Sequence, residues 1–448
     1  MKPNSEGSVV GISVKAIAIG TIASLSFIAC KSQKVQLLSA VQPGANAQAV
    51  APAQQAKDAV MEWNAIALST IRTDKTSPPM AAHNLAMVHG AVYDAVNGIA
   101  ATHKPYRVQV QAPPGASEAA ATIAAAHRML VNLYPKQAAA LDAAKTESLA
   151  KIAEGKSKTD GIKLGETVAD QIFAWRQNDG SNAEVAYTPV NQPGHWQPVP
   201  PEFKSASMPH WKNVKPFAMT KGDQFRIAKM PNLTSAEYTA EFNQTKEIGA
   251  KDSTTRTADQ SAIAKFWLNG SGTLTPPGHW NQIAADVAIK RGQTLQQNAR
   301  LFALLNIALA DASIIDGDQK YTFNRWRPIT AIQQADKDDN PQTTADANWT
   351  PLLSTPSSPA YVSGHSTFGG AADAVLTAYF GDKVSFTAIA DPSVNLPPRS
   401  FNNFTQAAEE AGMSRVYGGA HWMSDNRDGL TAGRNLGKYV VQNFLTPN

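Results

Sequence analysis

The sequence predicts an all-α protein built as helical bundles. Apolar residues recur at intervals of three and four through most of the chain, and strand-like alternation is scarce. The first such stretch, AKDAVMEWNAIALSTIR (56–72), puts Val60, Trp63, Ile66, Ala67 and Ile71 on one helical face. AHNLAMVHGAVYDAVNGI (82–99) repeats the spacing, and ASEAAATIAAAHRMLVNLY (116–134) opens on a small-polar cap signal and is alanine-rich. Further helices are predicted over about 136–153, 159–178, 235–247, 257–268, 279–316, 366–380, 404–412 and 426–444.

Two stretches break the pattern. Residues 179–232 are loaded with Pro, Trp and His, which argues against helix and for a loop packed over something. Residues 336–360 form a second long loop, and loops of this length are more often functional than idle. The tripeptide Gly-His-Trp occurs at 194–196 and again at 278–280, but the flanks differ and there is no true repeat.

A formal net charge of only +4, with no dense Lys/Arg tract, gives no reason to expect nucleic acid. The single cysteine, Cys30, excludes an internal disulfide and any zinc site built from several thiolates. Cys30 ends the apolar run KAIAIGTIASLSFIAC, which suits a signal-peptide core better than a membrane span. The FIAC ending resembles a bacterial lipoprotein signal, although Phe27 is an unusual start for it, and cleavage after Ala47 is the alternative. Residues 1–30 are therefore expected to be a signal peptide, 31–55 a flexible tether, and 56–448 the helical body, with halves meeting near residue 235. The expected location is the periplasm or the outer membrane, with lipid on Cys30 as the membrane contact. No later segment is expected to reach the length and apolarity of a transmembrane helix.

Three motifs carry chemistry. KYTFNRWRP (320–328) holds Lys320, Arg325, Arg327 and Pro328 after a long apolar helix; cations complementing a helix C-terminus explain it equally well. PAYVSGHSTFGG holds Ser363-Gly364-His365 where a helix begins, and helix N-termini bind anions readily. Ser363 as a cap explains Ser and Gly but not His365. SRVYGGAHWMSD holds Arg415 and His421, with Asp425 placed to accept a hydrogen bond from the imidazole Nδ1 and leave Nε2 free. A satisfied histidine beside a helix cap is the plainer account.

Taken together and in this order, the motifs resemble the signature shared by vanadium-dependent haloperoxidases and type-2 phosphatidic acid phosphatases. AMVHGAVYDAVNGI, NARLFALLNIALADA and RPITAI resemble the bacterial haloperoxidase branch, and the resemblance covers most of residues 56–448. It implies two four-helix bundles with a vanadate pocket at one end of the C-terminal one. In that pocket Lys320, Arg327 and Arg415 neutralise the oxyanion, Ser363 and Gly364 complete the ring of donors, His421 ligates vanadium, and His365 is the acid/base. It implies hydrogen peroxide and halide as substrates, Lys320 as polariser of peroxide, halogenation of a small organic molecule by hypohalous acid, and a homodimer, which is common in the family. Haem and flavin are not required. The same residues fit a soluble acid phosphatase working through a phosphohistidine at His421. The missing membrane spans, the long N-terminal half and NRWRPITAI favour the peroxidase.

The family's halide-linked position, often an aromatic or a histidine, falls on Ser358, a small polar residue that leaves the usual clue missing; iodide or bromide, the easier halides to oxidise, is expected over chloride. Trp326, Phe323, Tyr361 and Trp422 are candidate walls of the halide pocket, and Asp318 is a candidate holder of Lys320. His89 and Asp94 read as packing residues. His195, His210 and His279 lack metal-ligand spacing, and no His-Glu-x-x-His occurs.

Overall fold

The computed structural model describes residues 58–448; the leader, Cys30 and the whole of the tether lie outside them. Among the described residues there are thirteen α-helices and one two-stranded antiparallel hairpin. The N-terminal group is α1 (Ala59–Asp74), α2 (Pro78–Ala100), α3 (Glu118–Leu133), α4 (Ala138–Ala150) and α5 (Lys156–Arg176). Next come α6 (Ala236–Ile248), α7 (Ala258–Phe266), α8 (Thr275–Lys290), α9 (Leu295–Phe323) and the short α10 (Pro328–Gln333). The chain closes with α11 (Gly364–Phe380), β1 (Phe386–Ala388), β2 (Arg399–Phe401), α12 (Phe404–Tyr417) and α13 (Met423–Asn443). Ser117 caps α3 as its sequence predicts, its side chain accepting from Ala120 N at 3.2 Å.

The single helix expected over 279–316 is two. Gly292 takes a left-handed φ of 64° after α8, and Thr294 opens α9 with a capping box to Gln297. α8 also begins earlier than expected because Pro276 and Pro277 fit its first turn. α10, six residues long, and the three-residue strands are too short to show a period.

α9 is the spine. It packs against α2 on the N-terminal side and against α11 and α13 on the C-terminal side. Contrary to the expectation from sequence, it is long and apolar enough to cross a membrane, but 94% of its most apolar window is buried inside the protein. The reason is position: a helix covered on all sides by other helices is apolar all round. One apolar core runs from Trp63 and Met87 through Phe302 and Leu305 to Phe368 and Leu436, crossing residue 235 without a break. α11 and α13 approach most closely at Gly370 and Gly433, where a Cβ would strike the opposing backbone. That contact sets the two helix N-termini side by side.

The first long loop, 179–232, is tied down at two places. Asp311 on α9 is fully buried and accepts from the backbone N–H groups of Phe217, Ala218 and Met219 at 2.6, 2.8 and 2.7 Å. The first Gly-His-Trp lies along residues 324–326, with Trp196 N donating to Asn324 O and Trp326 N to Gly194 O, both at 2.9 Å. The loop at 179–232 thus covers the first motif. Asp311→Ala strands three buried N–H groups, each worth about 1 kcal/mol or more. We expect a loss of about 3 kcal/mol in urea unfolding, and an unchanged midpoint would count against the anchoring role.

Candidate active site

The three motifs meet at one end of the C-terminal helices. Lys320 stands in the last turn of α9, Arg327 caps α10, Gly364 and His365 open α11, Arg415 ends α12, and His421 precedes α13. All six line one cavity of about 290 Å³.

His421 is held from both sides. Its Nδ1 lies 2.9 Å from Asp425 Oδ2 and its Nε2 2.9 Å from Arg327 Nη1. Because a guanidinium only donates, Nε2 is the acceptor and Nδ1 carries the proton. Arg327 also donates to Ser358 O at 2.7 Å, Ser358 Oγ at 3.1 Å and Ala420 O at 2.9 Å. Lys320 donates to Val362 O and Ala360 O and pairs with Asp316 at 3.2 Å. His365 Nε2 lies 2.9 Å from the Trp267 carbonyl, so Nε2–H donates and Nδ1 is left as the basic nitrogen. Arg415 is 3% exposed, yet its Nε and Nη1 have no hydrogen-bond partner.

The electrostatics follow from packing three cations away from water. Burial pulls the Lys320 ammonium down to about 8, with Asp316 opposing it and Arg327 adding to it. Burial lowers Arg327 and Arg415 to about 10 each. His365 and His421 both fall well below the usual histidine range, first through burial and then through the neighbouring cations. The cavity therefore holds two neutral imidazoles in a strongly positive field, which suits a multiply charged oxyanion.

Residues 300–446 match the family model of the VCPO second helical-bundle domain. Over 411 residues the chain is 28% identical to the vanadium chloroperoxidase of Curvularia inaequalis, covering 72% of this chain and 66%, just under two thirds, of that relative. It superposes with a TM-score of 0.76 and 29% identity on the crystal structure of the first bacterial vanadium-dependent iodoperoxidase, covering 87% of this chain and 97% of that one. The chain resembles the vanadium haloperoxidases in sequence and in fold. An apo bacterial vanadium-dependent chloroperoxidase shares the fold at a TM-score of 0.66 and 17% identity, over 82% of this chain and 92% of that one.

Not every residue singled out by the haloperoxidase resemblance reaches the cavity. Ser358 does, but Ser363 does not. Ser363 is fully buried behind Gly364, where its Oγ accepts from Ser366 N at 3.4 Å as the α11 cap and its N–H donates to Asp425 O at 3.0 Å. Trp326 and Trp422 are core residues, packed with Tyr238 and Phe242 in a second apolar cluster. Tyr361 is buried, with its hydroxyl 2.9 Å from Asp428, and Phe323 stands edge-on to it at 5.0 Å between centroids. As halide-pocket walls, Trp326, Phe323, Tyr361 and Trp422 are corrected to packing positions: Trp326, Tyr361 and Trp422 lie in connecting segments, where nearness in sequence to a site residue does not set which way a side chain faces. Asp318 is likewise corrected. It holds Arg226, at 2.6 and 2.7 Å, while Asp316, one turn before Lys320, takes the pair expected of it. His89 and Asp94 stay in the N-terminal core, where His89 stacks on Phe302 and Asp94 accepts from three backbone N–H groups at 106–108.

Two site-supporting residues, Asp316 and Glu241, escape sequence reading, and Arg325, named in the first motif, takes a supporting role that the motif does not indicate. Asp316 was hidden by its neighbour Asp318, although the four-residue spacing to Lys320 was a readable signal. Arg325 donates to Ser424 Oγ at 2.8 Å, Asp425 Oδ1 at 3.0 Å and Glu241 Oε1, and Glu241 Oε2 accepts from Ser424 N at 2.8 Å. Glu241 lies on α6 far from any motif, and nothing local marks it.

Proposed function

We propose that the chain is a vanadate-dependent haloperoxidase that oxidises iodide or bromide with hydrogen peroxide and halogenates small organic molecules through hypohalous acid. The observation that carries the reading is Arg415: a buried guanidinium with two unpaired nitrogens, beside Arg327, Lys320 and the Nε2 lone pair of His421. Buried unpaired cations are costly and are kept where an anion completes them. Gly364 fits the same purpose, since it lines the cavity without a side chain, and a Cβ there would lie 3.2 Å from Asp316 Oδ1. The residues present thus fit vanadate.

Vanadate, when bound, supplies a Lewis acid that activates hydrogen peroxide toward halide. His421 offers Nε2 as the ligand, with Asp425 keeping the proton on Nδ1. Arg327 and Arg415 neutralise oxyanion charge, and the Gly364 backbone brings the start of α11 close. His365 takes a proton from incoming peroxide at Nδ1 and returns it to the leaving oxygen. Lys320, held by Asp316, places its ammonium where peroxide oxygen becomes negative. Ser358 adds neither cation nor ring, so the easiest halides to oxidise are favoured. Export, lipid on Cys30 and dimerisation belong to the proposal on the sequence reading alone.

The chain lacking residues 1–30 is assayed for peroxide-dependent triiodide formation with and without orthovanadate, and on p-nitrophenyl phosphate. The expected result is vanadate-dependent iodide oxidation that vanishes in His421→Ala, with bromide slower and chloride slowest. Ester hydrolysis without halide oxidation overturns the reading, and a chloride rate equal to that of bromide overturns the halide preference.

A further inference from the structure

One soft nucleophile shares the cavity with the proposed oxidation chemistry. Met208 lines it together with Lys320, His365, Arg415 and His421, and is partly exposed. Its backbone sits at a left-handed φ of 52° in the loop covering the site. That loop is pinned where Ser207 N donates to Ser357 O at 2.7 Å and Trp211 N to Met208 O at 3.0 Å. The Ser77 hydroxyl donates to Met208 Sδ at 3.3 Å, which occupies one sulfur lone pair and orients the other. The other methionines among the described residues differ. Met61, Met87, Met129 and Met219 are buried, and Met80, Met230, Met413 and Met423 are partly exposed but do not line the cavity.

We propose that Met208 is a self-modification site: the hypohalous acid formed in the cavity oxidises its thioether to the sulfoxide before that oxidant escapes. The inference rests on the haloperoxidase reading. The free sulfur lone pair attacks the halogen of the hypohalous acid, and the halogen–oxygen bond breaks with release of hydroxide. Water then attacks sulfur, the sulfur–halogen bond breaks, and halide leaves. In sum one thioether and one hypohalous acid give one sulfoxide, one proton and one halide. Sulfur gives up two electrons and the halogen takes them. The product replaces an apolar, flexible wall with a polar one. Accumulated turnover therefore remodels the cavity wall, and the modification is reversible by reduction of the sulfoxide.

The vanadate-loaded enzyme is run with peroxide and bromide, sampled at increasing turnover, digested and weighed by peptide mass spectrometry. The expected result is one added oxygen on the Met208 peptide, rising with turnover, several-fold ahead of Met80, Met230, Met413 and Met423, and absent with peroxide alone. Met208→Leu, which conserves volume, is expected to keep the initial rate and lose it more slowly. Turnover with Met208 unmodified, with oxygen spread evenly over the partly exposed methionines, or with halogen on Tyr321 instead, overturns the inference and leaves the function standing. Failure to oxidise bromide or iodide at all overturns the functional reading, and the inference with it.

Discussion

Replacing Arg415 with methionine is expected to make the protein more stable and almost inactive. The guanidinium is 3% exposed, two of its nitrogens have no partner, and the nearest strong charge acting on it is Arg327, of the same sign. Desolvation and repulsion both oppose folding around it. Methionine keeps much of the volume and removes the charge, so a gain of roughly 1 kcal/mol or more in unfolding free energy is expected. Activity moves the other way. Loss of one preorganised charged donor to an oxyanion lowers turnover by about 10²–10³-fold. Orthovanadate separates the two effects: at about a hundred times its dissociation constant it adds about 2.7 kcal/mol to the wild type and much less to the variant. If Arg415→Met instead loses stability without vanadate, the guanidinium is a structural group.

Glu241→Ala is expected to give the largest stability loss in the site region. Its two oxygens hold Arg325 Nη2 and, at 2.8 Å, Ser424 N, while Arg325 in turn holds Asp425 at 3.0 Å and Asp425 holds His421 at 2.9 Å. Arg325 is fully buried, so truncation leaves a cation with only one carboxylate and opens the first turn of α13. Breaking a buried pair in this way costs about 3–5 kcal/mol. The proposed vanadium ligand loses the support behind its own support, and a drop in activity of about 10–100-fold is expected. Glu241→Gln, which keeps an acceptor and the volume, is expected to fall between. A wild-type urea midpoint in Glu241→Ala would show that Arg325 does not depend on it.

The sequence made the helices legible where the period is long, as in α2, α3 and α13, and it made the cavity legible because Lys320, Arg327, His365, Arg415 and His421 each sit at a helix end next to a turn signal. The break at Gly292 was written in Arg-Gly-Gln-Thr but was masked by apolar residues on both sides of it. The aromatic neighbours were misplaced because a wall of a cavity is a property of the assembled fold. Asp425 could be found by counting four from His421. Glu241 could not, since its partner Arg325 is 84 residues away and the pairing exists only after α6 has docked.

α9 carries a further consequence. Its 29 residues are buried along nearly their whole length, and they bind the covering loop through Asp311, hold Lys320 through Asp316, and present Lys320 to the cavity from the last turn. At about 100° per residue, Asp316 and Lys320 lie on one face, while Asp311 points about 180° away from Lys320 toward the loop. Adding or deleting a single residue between Asp311 and Asp316 would turn one from the other by about 100°. Either the loop anchor or the lysine would then point into a neighbouring helix. A chimera that joins the N-terminal group of one relative to the C-terminal group of another must therefore be spliced outside α9 or keep its residue count.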